Sequence, residues 1–256
     1  MKLKFIYWIS YLLIFLFILS CSATKESKKE SEAVTTQKSA LIDSSDIVFH
    51  KAYSLKYDEE HEQADWVRYT LTKEHLLMEQ VKRSNNFKTD TLVKTGSATP
   101  DDYKHSGYDR GHLAPAADMS WSKVTMQESF YMSNMSPQLP SFNRGVWKRL
   151  EGKVREWAIE YDTLYVVTGP VLKDSLKIIG VNQVSVPEYF YKALLVYTTT
   201  NQRAIGFILP NTKSTTPIDS FAVSIDSVES VTGIDFFSTL PDSVEEILES
   251  KTEIFK

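Results

Sequence analysis

Trp147, Leu150, Val154 and Trp157 recur at intervals of three and four, and that spacing commits the middle of the chain to a helix with one apolar stripe packed on a core. Two short runs precede it. Tyr108 to His112, Y-D-R-G-H, reads as a strand, and Phe130 to Gln138, F-Y-M-S-N-M-S-P-Q, as a second, with the helix beginning near Asn143. Asn143, Trp147, Glu151 and Arg155 are each four apart, so a regular helix would set them in a slowly drifting row along one side. Asn143 would then stand at the helix start, where backbone N–H groups and the positive end of the dipole tolerate anions.

The polar residues of this strand, strand and helix segment, Gly107 to Arg155, are an unusual set. Asp109, Arg110, His112, Asn134, Gln138, Asn143, Glu151 and Arg155 offer an imidazole base, several neutral oxygen ligands, two carboxylates and two guanidinium groups. Such a set suits phosphodiester hydrolysis assisted by a hard metal ion. A neutral imidazole near its ordinary pKa of about 6.5 accepts a proton from water at neutral pH, which points to His112 as the base. His50, His61, His75 and His105 lack comparable neighbours and read as surface or core residues.

Charge alone does not announce a nucleic-acid partner, because the 256 residues carry a net −4, which becomes −6 once Lys2 and Lys4 are removed with a leader. Arg144, Lys148, Arg149, Lys153 and Arg155 nevertheless gather on the predicted helix, so a local positive surface can exist on an acidic whole. The 42% hydrophobic content and ordinary charge content fit a globular domain with a sizeable core.

The N-terminus reads as an address. Lys2 and Lys4 precede an apolar run from Phe5 to Leu19 broken only by Ser10, followed by Ile18-Leu19-Ser20-Cys21. Fifteen residues are short for spanning a bilayer, and the pattern resembles a bacterial lipoprotein signal, residues 1–20, cleaved before a lipidated Cys21. Ser22 after the cysteine resembles outer-membrane sorting in the cell envelope. Cys21 is the only cysteine, so no disulfide forms within the domain. Residues 21–46 form a Ser-, Lys-, Glu- and Thr-rich tether, with the folded domain at 47–256.

Beyond these segments, Asp65 to Leu71 alternates as a strand, and Thr72 caps a short helix running to Gln80. Thr163 to Thr168, ended by Gly169-Pro170, Phe190 to Tyr197 and Arg203 to Leu209 read as further strands, and Ser227 to Thr232 and Pro241 to Ser250 as helices. Strands and helices mix without a βαβ rhythm, which predicts an α+β fold with a largely antiparallel central sheet flanked by helices.

D-R-G-H (Asp109 to His112), N-x-x-P-Q (Asn134 to Gln138) and N-x-x-x-W-x-x-L-E (Asn143 to Glu151), in that order, resemble the DNA/RNA non-specific endonucleases, the sugar-non-specific ββα-metal nucleases of His-Me finger fold. The likeness runs from about Tyr53 to about Leu248 and includes W-V-R-Y-T-L-T-K-E-H-L, V-V-T-G-P-V and S-V-E-S-V-T-G-I-D-F-F. R-S-N-N-F-K-T-D (Arg83 to Asp90) resembles the family's R-x-x-x-F-x-x-D approach to the site. The resemblance implies His112 as general base and Asn143 as the one direct ligand of a hydrated Mg²⁺, or Mn²⁺. It sets Glu151, Asn134 and Gln138 near that ion's waters. Arg110, Arg83 and Arg155 would neutralise phosphate, and Gln138 would also line the substrate. Cleavage of DNA and RNA to 5′-phosphate ends follows from the same resemblance, which also admits a homodimer. A catalytically silent, lipid-anchored nucleic-acid-binding protein remains the alternative, although such a protein would normally have lost His112 or Asn143.

Overall fold

The computed structural model describes residues 47–255; the signal 1–20, Cys21 and the tether 21–46 lie outside the described residues. Seven strands form one antiparallel sheet: β1 (Ile47–Phe49), β2 (Tyr53–Asp58), β3 (Gln63–Thr72), β6 (Thr163–Pro170), β9 (Tyr189–Tyr197), β10 (Gln202–Pro210) and β11 (Ala222–Val223), neighbours in that order. Two small ribbons stand apart from it. One pairs β4 (Asp109–His112) with β5 (Met135–Gln138), and the other β7 (Lys177–Ile179) with β8 (Val184–Val186).

The sheet is buried on both faces, and β9 shows why its sequence is almost continuously apolar. Phe190, Leu194 and Val196 join one core with Leu55, Val67, Trp147, Leu150, Val154 and Trp157; Tyr191, Ala193 and Leu195 join a second with Trp66, Ile225, Val228 and Leu248. The first layer is carried by helix α3 (Lys148–Glu160), whose predicted stripe of Trp147, Leu150, Val154 and Trp157 is completely buried. Helices α4 (Ile225–Thr232) and α5 (Asp242–Glu249) cover the other face.

Local chemistry sets the remaining boundaries. Thr72 accepts a hydrogen bond from the His75 N–H and caps α1 (Lys73–Leu77), while Ser122 and Ser224 cap α2 (Lys123–Glu128) and α4 in the same way. Gly169-Pro170 ends its strand from within it: both residues pair with β9 as the last two of β6, and a Cβ at Gly169 would lie 2.3 Å from the Asp65 carbonyl oxygen. Glycine is there for close approach across strands rather than for a turn. The second strand of the site segment is also shorter than predicted. Met132–Asn134 winds into a 3-10 turn, and pairing begins only at Met135.

Candidate active site

The predicted helix from Asn143 is two pieces. Phe142–Trp147 forms a π-helical turn broken by Gly145 at φ −107°, ψ −109°, and α3 starts at Lys148. The even row of Asn143, Trp147, Glu151 and Arg155 is therefore lost, and Asn143 does not head a regular helix dipole. A widened turn of this kind lets one side chain leave the helical face, and here the side chain is Asn143. Its Nδ2 donates to Asp109 Oδ2 at 2.9 Å, and Arg144 holds both carboxylate oxygens of the same aspartate. An ionised carboxylate accepts only, so the amide must present its NH₂ to Asp109 and turn its Oδ1 away. An orientated, neutral carbonyl oxygen is what a hard, hydrated cation takes from a protein. The donor set therefore fits Mg²⁺ or Mn²⁺ and carries no thiolate or imidazole cluster for softer metals.

His112, at the end of the same short strand, is packed rather than hydrogen-bonded. Phe130 meets it edge to face at 4.8 Å, Phe87 lies tilted against it at 5.8 Å, and its Nε2 is buried without a hydrogen-bond partner among the described residues. Burial, reinforced by the nearby positive charge of Arg83, pushes the imidazole down from its ordinary value to about 3. The ring is neutral throughout the neutral range. Arg83 lies over the Phe130 ring at 4.9 Å and Arg110 over the Phe87 ring at 4.2 Å, and the two rings contact each other edge to face at 4.9 Å. A pair of phenylalanines thus carries the imidazole and two guanidinium groups on one scaffold.

Behind this scaffold lies a mixed-charge cluster. Asp118, 3% exposed, accepts from Arg155 Nη1 at 2.8 Å and from the Tyr69 hydroxyl at 2.9 Å. Lys192, fully buried, donates to Thr168 Oγ1 at 3.1 Å and lies 4.5 Å from the centre of a Trp147 ring. Burial pushes Glu151 upward, and the positive charges of Lys192, Arg155 and Arg83 pull it back; burial pushes Lys192 downward against Glu151 and Asp118. Arg155 is thereby committed to Asp118 rather than to a pairing with Glu151.

Two predicted site residues have other work. Asn134 accepts the Ala114 N–H and donates to the Ala114 and Ser129 carbonyls, so its whole amide is spent on pinning the chain just after His112. It reaches the chemistry only through the loop it holds. Gln138 is completely buried with both amide atoms unpartnered, so it does not line a substrate surface. Its side chain fills the space above Gly111, where an added Cβ would come within 2.2 Å of Gln138 Oε1; this is the steric reason for glycine in D-R-G-H.

Asp109 belonged to the set read from the sequence, but its hold on Asn143 did not, and Phe87, Phe130, Asp118 and Lys192 were not assigned to the site by sequence. Phe87 stands inside R-x-x-x-F-x-x-D, whose Asp90 accepts from His50 and Ser133 and so ties that segment to the turn before β5. Lys192 has a signal too, as the lone charge in a strand otherwise apolar from Phe190 to Val196. Asp118 has none. Three of the other four histidines have structural partners: His50 on Asp90, His61 on Ser185, and His75 stacked on Trp121 at 4.1 Å, while His105 is exposed at a positive φ of 59°. Of the basic helix residues, Arg144 is tied to Asp109, Arg149 to the carbonyls of Ser214 and Thr216, and Lys153 to Glu156, while Lys148 is exposed.

Residues 31–243 match the DNA/RNA non-specific endonuclease family. Human mitochondrial endonuclease G is 36% identical over 193 residues, 70% of this chain and 65% of that protein. A nuclease of Syncephalastrum racemosum is 37% identical over 208 residues, 72% of this chain and 65% of its own length. The chain thus spans somewhat under two thirds of these relatives. Among solved structures, the EndoG/EndoGI complex described for the mechanism of EndoG inhibition superposes with a TM-score of 0.72 at 34% identity, covering 78% of this chain and 88% of that one.

Proposed function

Because this chain belongs to the DNA/RNA non-specific endonuclease family, we propose that it hydrolyses internal phosphodiester bonds of DNA and RNA with little sequence preference, leaving 5′-phosphate ends. The observation that carries this reading is the pair formed on one short strand: Asp109 turns the Asn143 carbonyl outward, and three residues on, His112 is kept neutral. A base and a hard-cation ligand are thereby held by opposite ends of β4.

In this reading the nucleophile is water. His112 takes its proton as the oxygen bonds to phosphorus, the bond from phosphorus to the 3′ oxygen breaks, and that oxygen leaves to be protonated from solvent. Since Nε2 is buried, Nδ1 is the accepting atom. Arg83 and Arg110, fixed on Phe130 and Phe87, bind the phosphate and offset its growing charge. Arg155 acts one step back by neutralising Asp118. Asn143 would hold Mg²⁺, or Mn²⁺, with Glu151 orienting its waters. The ion would supply Lewis-acid stabilisation of the phosphate and the departing oxygen. No 2′-hydroxyl enters the scheme, so both nucleic acids serve. Cys21 would anchor the enzyme by lipid to the bacterial envelope, with the 21–46 segment as spacer.

The full-length chain incubated with plasmid DNA and with RNA should nick and degrade both in Mg²⁺ and neither in EDTA. Binding without cleavage would instead establish the silent nucleic-acid-binding alternative. For the anchor, Cys21→Ser should leave an unlipidated precursor by mass spectrometry of the membrane fraction, and a normally lipidated product from that variant would refute it.

A further inference from the structure

The face of the sheet opposite His112 carries a cluster of like charge. Asp226 and Glu229 on α4 and Glu249 at the end of α5 each bring a carboxylate oxygen to within 4.8 Å of the others. Asp235 and Glu245 add their negative fields to the same place. Carboxylates gathered this way are common on surfaces, where water separates and screens them. Glu249 is different, being only 5% exposed, and its Oε1 is buried with no hydrogen-bond donor among the described residues. Glu245 Oε1 is shut in and unpartnered in the same way.

A buried carboxylate oxygen without a donor costs free energy, and a ring of like charges around it adds to that cost. The mixed cluster around Asp118 has Arg155 and Lys192 to compensate it. Here burial pushes the Glu249 carboxyl up to about 8, and the charges acting on it, from Glu229, Glu245, Asp235 and Asp226, are all acidic and push the same way. What the geometry lacks is a positive centre.

We propose that Asp226, Glu229 and Glu249 bind a hard divalent cation of the calcium class, at a structural site separate from the phosphodiester centre, which ties the C-terminal helix α5 to α4. The donors are all oxygens, which excludes preference for thiolate- or imidazole-seeking metals. Calcium accepts oxygens at about 2.3–2.6 Å, so two ligands on opposite sides of the ion stand about 4.6–5.2 Å apart, and a cluster whose oxygens lie within 4.8 Å of one another needs little rearrangement. Magnesium, at about 2.0–2.1 Å and strict in its octahedron, would require the carboxylates to close further. One ligand is already positioned: Glu229 Oε1 accepts the Phe236 N–H at 2.9 Å, fixing that carboxylate against the loop that leads to α5. The ion would sit over the second core, where Ile225, Val228, Phe237 and Leu248 cover the sheet, so its role is to hold that layer down.

The test is a thermal melt of the full-length chain, stripped with EDTA at pH 8, in an Asn143→Ala background that removes the catalytic ligand. Calcium should raise the melting temperature saturably, by about 5 to 10 °C at a hundredfold excess over its Kd, and magnesium by less. Adding Asp226→Asn, at an exposed position that folding tolerates, or Glu249→Gln should abolish most of the calcium shift. A calcium shift unchanged by Asp226→Asn would overturn the site. The absence of any calcium shift would overturn it as well, whatever lowering the pH does to the melting temperature.

Discussion

The two faces of the central sheet solve the problem of buried charge in opposite ways. On the α3 side, Asp118, Glu151, Arg155 and Lys192 bring both signs together, with Arg83 beside them. On the α4 and α5 side, Asp226, Glu229, Asp235, Glu245 and Glu249 bring one sign only. A self-compensated cluster holds its geometry without help, which suits a site that must keep a base and a ligand in register. A cluster of one sign depends on protons or a cation from solution. The face carrying the proposed active site is thus internally neutralised, and the face carrying the proposed cation site is conditional on its medium.

The sharpest way to break this division is through activity. His112→Ala should lower hydrolysis by about 10² to 10⁴ with the fold retained by circular dichroism, whereas Asp226→Asn on the other face should leave the rate at saturating Mg²⁺ unchanged. Equal losses from both would erase the distinction. Next in size, Lys192→Met removes the buried positive charge beside Glu151 and should cost about 3–5 kcal/mol in denaturant melts. Combining it with Glu151→Gln should recover part of that loss, and strict additivity would show that the two charges do not compensate each other.

A smaller effect concerns the proposed metal ligand. Asn143→Ala should lower the maximal rate and raise the Mg²⁺ midpoint, and Asp109→Ala, which frees the amide to turn, should weaken the ion by roughly 10- to 100-fold. If Asn143 were only a structural residue of the turn, the midpoint would stay put while the melting temperature fell. The smallest effects are on the pH dependence of stability, where His112 and Glu249 should contribute in opposite directions. His112 is lowered to about 3 in the fold from 6.5, so the unfolded chain takes up its proton first; its contribution is present above pH 6.5 and is lost as pH falls towards 3. Glu249 is raised to about 8 from 4.5, so its contribution is present below pH 4.5 and is lost as pH rises through 8. Melting curves across pH should flatten on the acid side in His112→Ala and on the alkaline side in Glu249→Gln. For the same reason, a pH-rate step near 6.5 should not come from His112.

Much of this was legible in the residues. The stripe Trp147, Leu150, Val154 and Trp157 called for a core, and the alternating and apolar runs of β3, β6, β9 and β10 read as strands of a largely antiparallel sheet flanked by helices. The order of D-R-G-H, N-x-x-P-Q and N-x-x-x-W-x-x-L-E was enough to name the family, and with it the α+β architecture. Periodicity and motif order are local properties, so a linear chain displays them.

What the chain could not display was which groups meet across distance. Gly145 breaks the helix at a position where periodicity sees nothing unusual, and only the resulting π turn delivers Asn143 to Asp109, 34 residues away. Asn134 and Gln138 carry site-like amides, yet packing spends one on the backbone of Ala114 and Ser129 and buries the other against Gly111. Lys192 reaches Thr168 and Trp147, and Glu249 lies among acids from α4, because the sheet brings these elements together. Residue identity sets what each group can donate or accept; burial and long-range pairing decide its charge, its orientation and its partner, because both depend on the three-dimensional surroundings that sequence spacing does not encode.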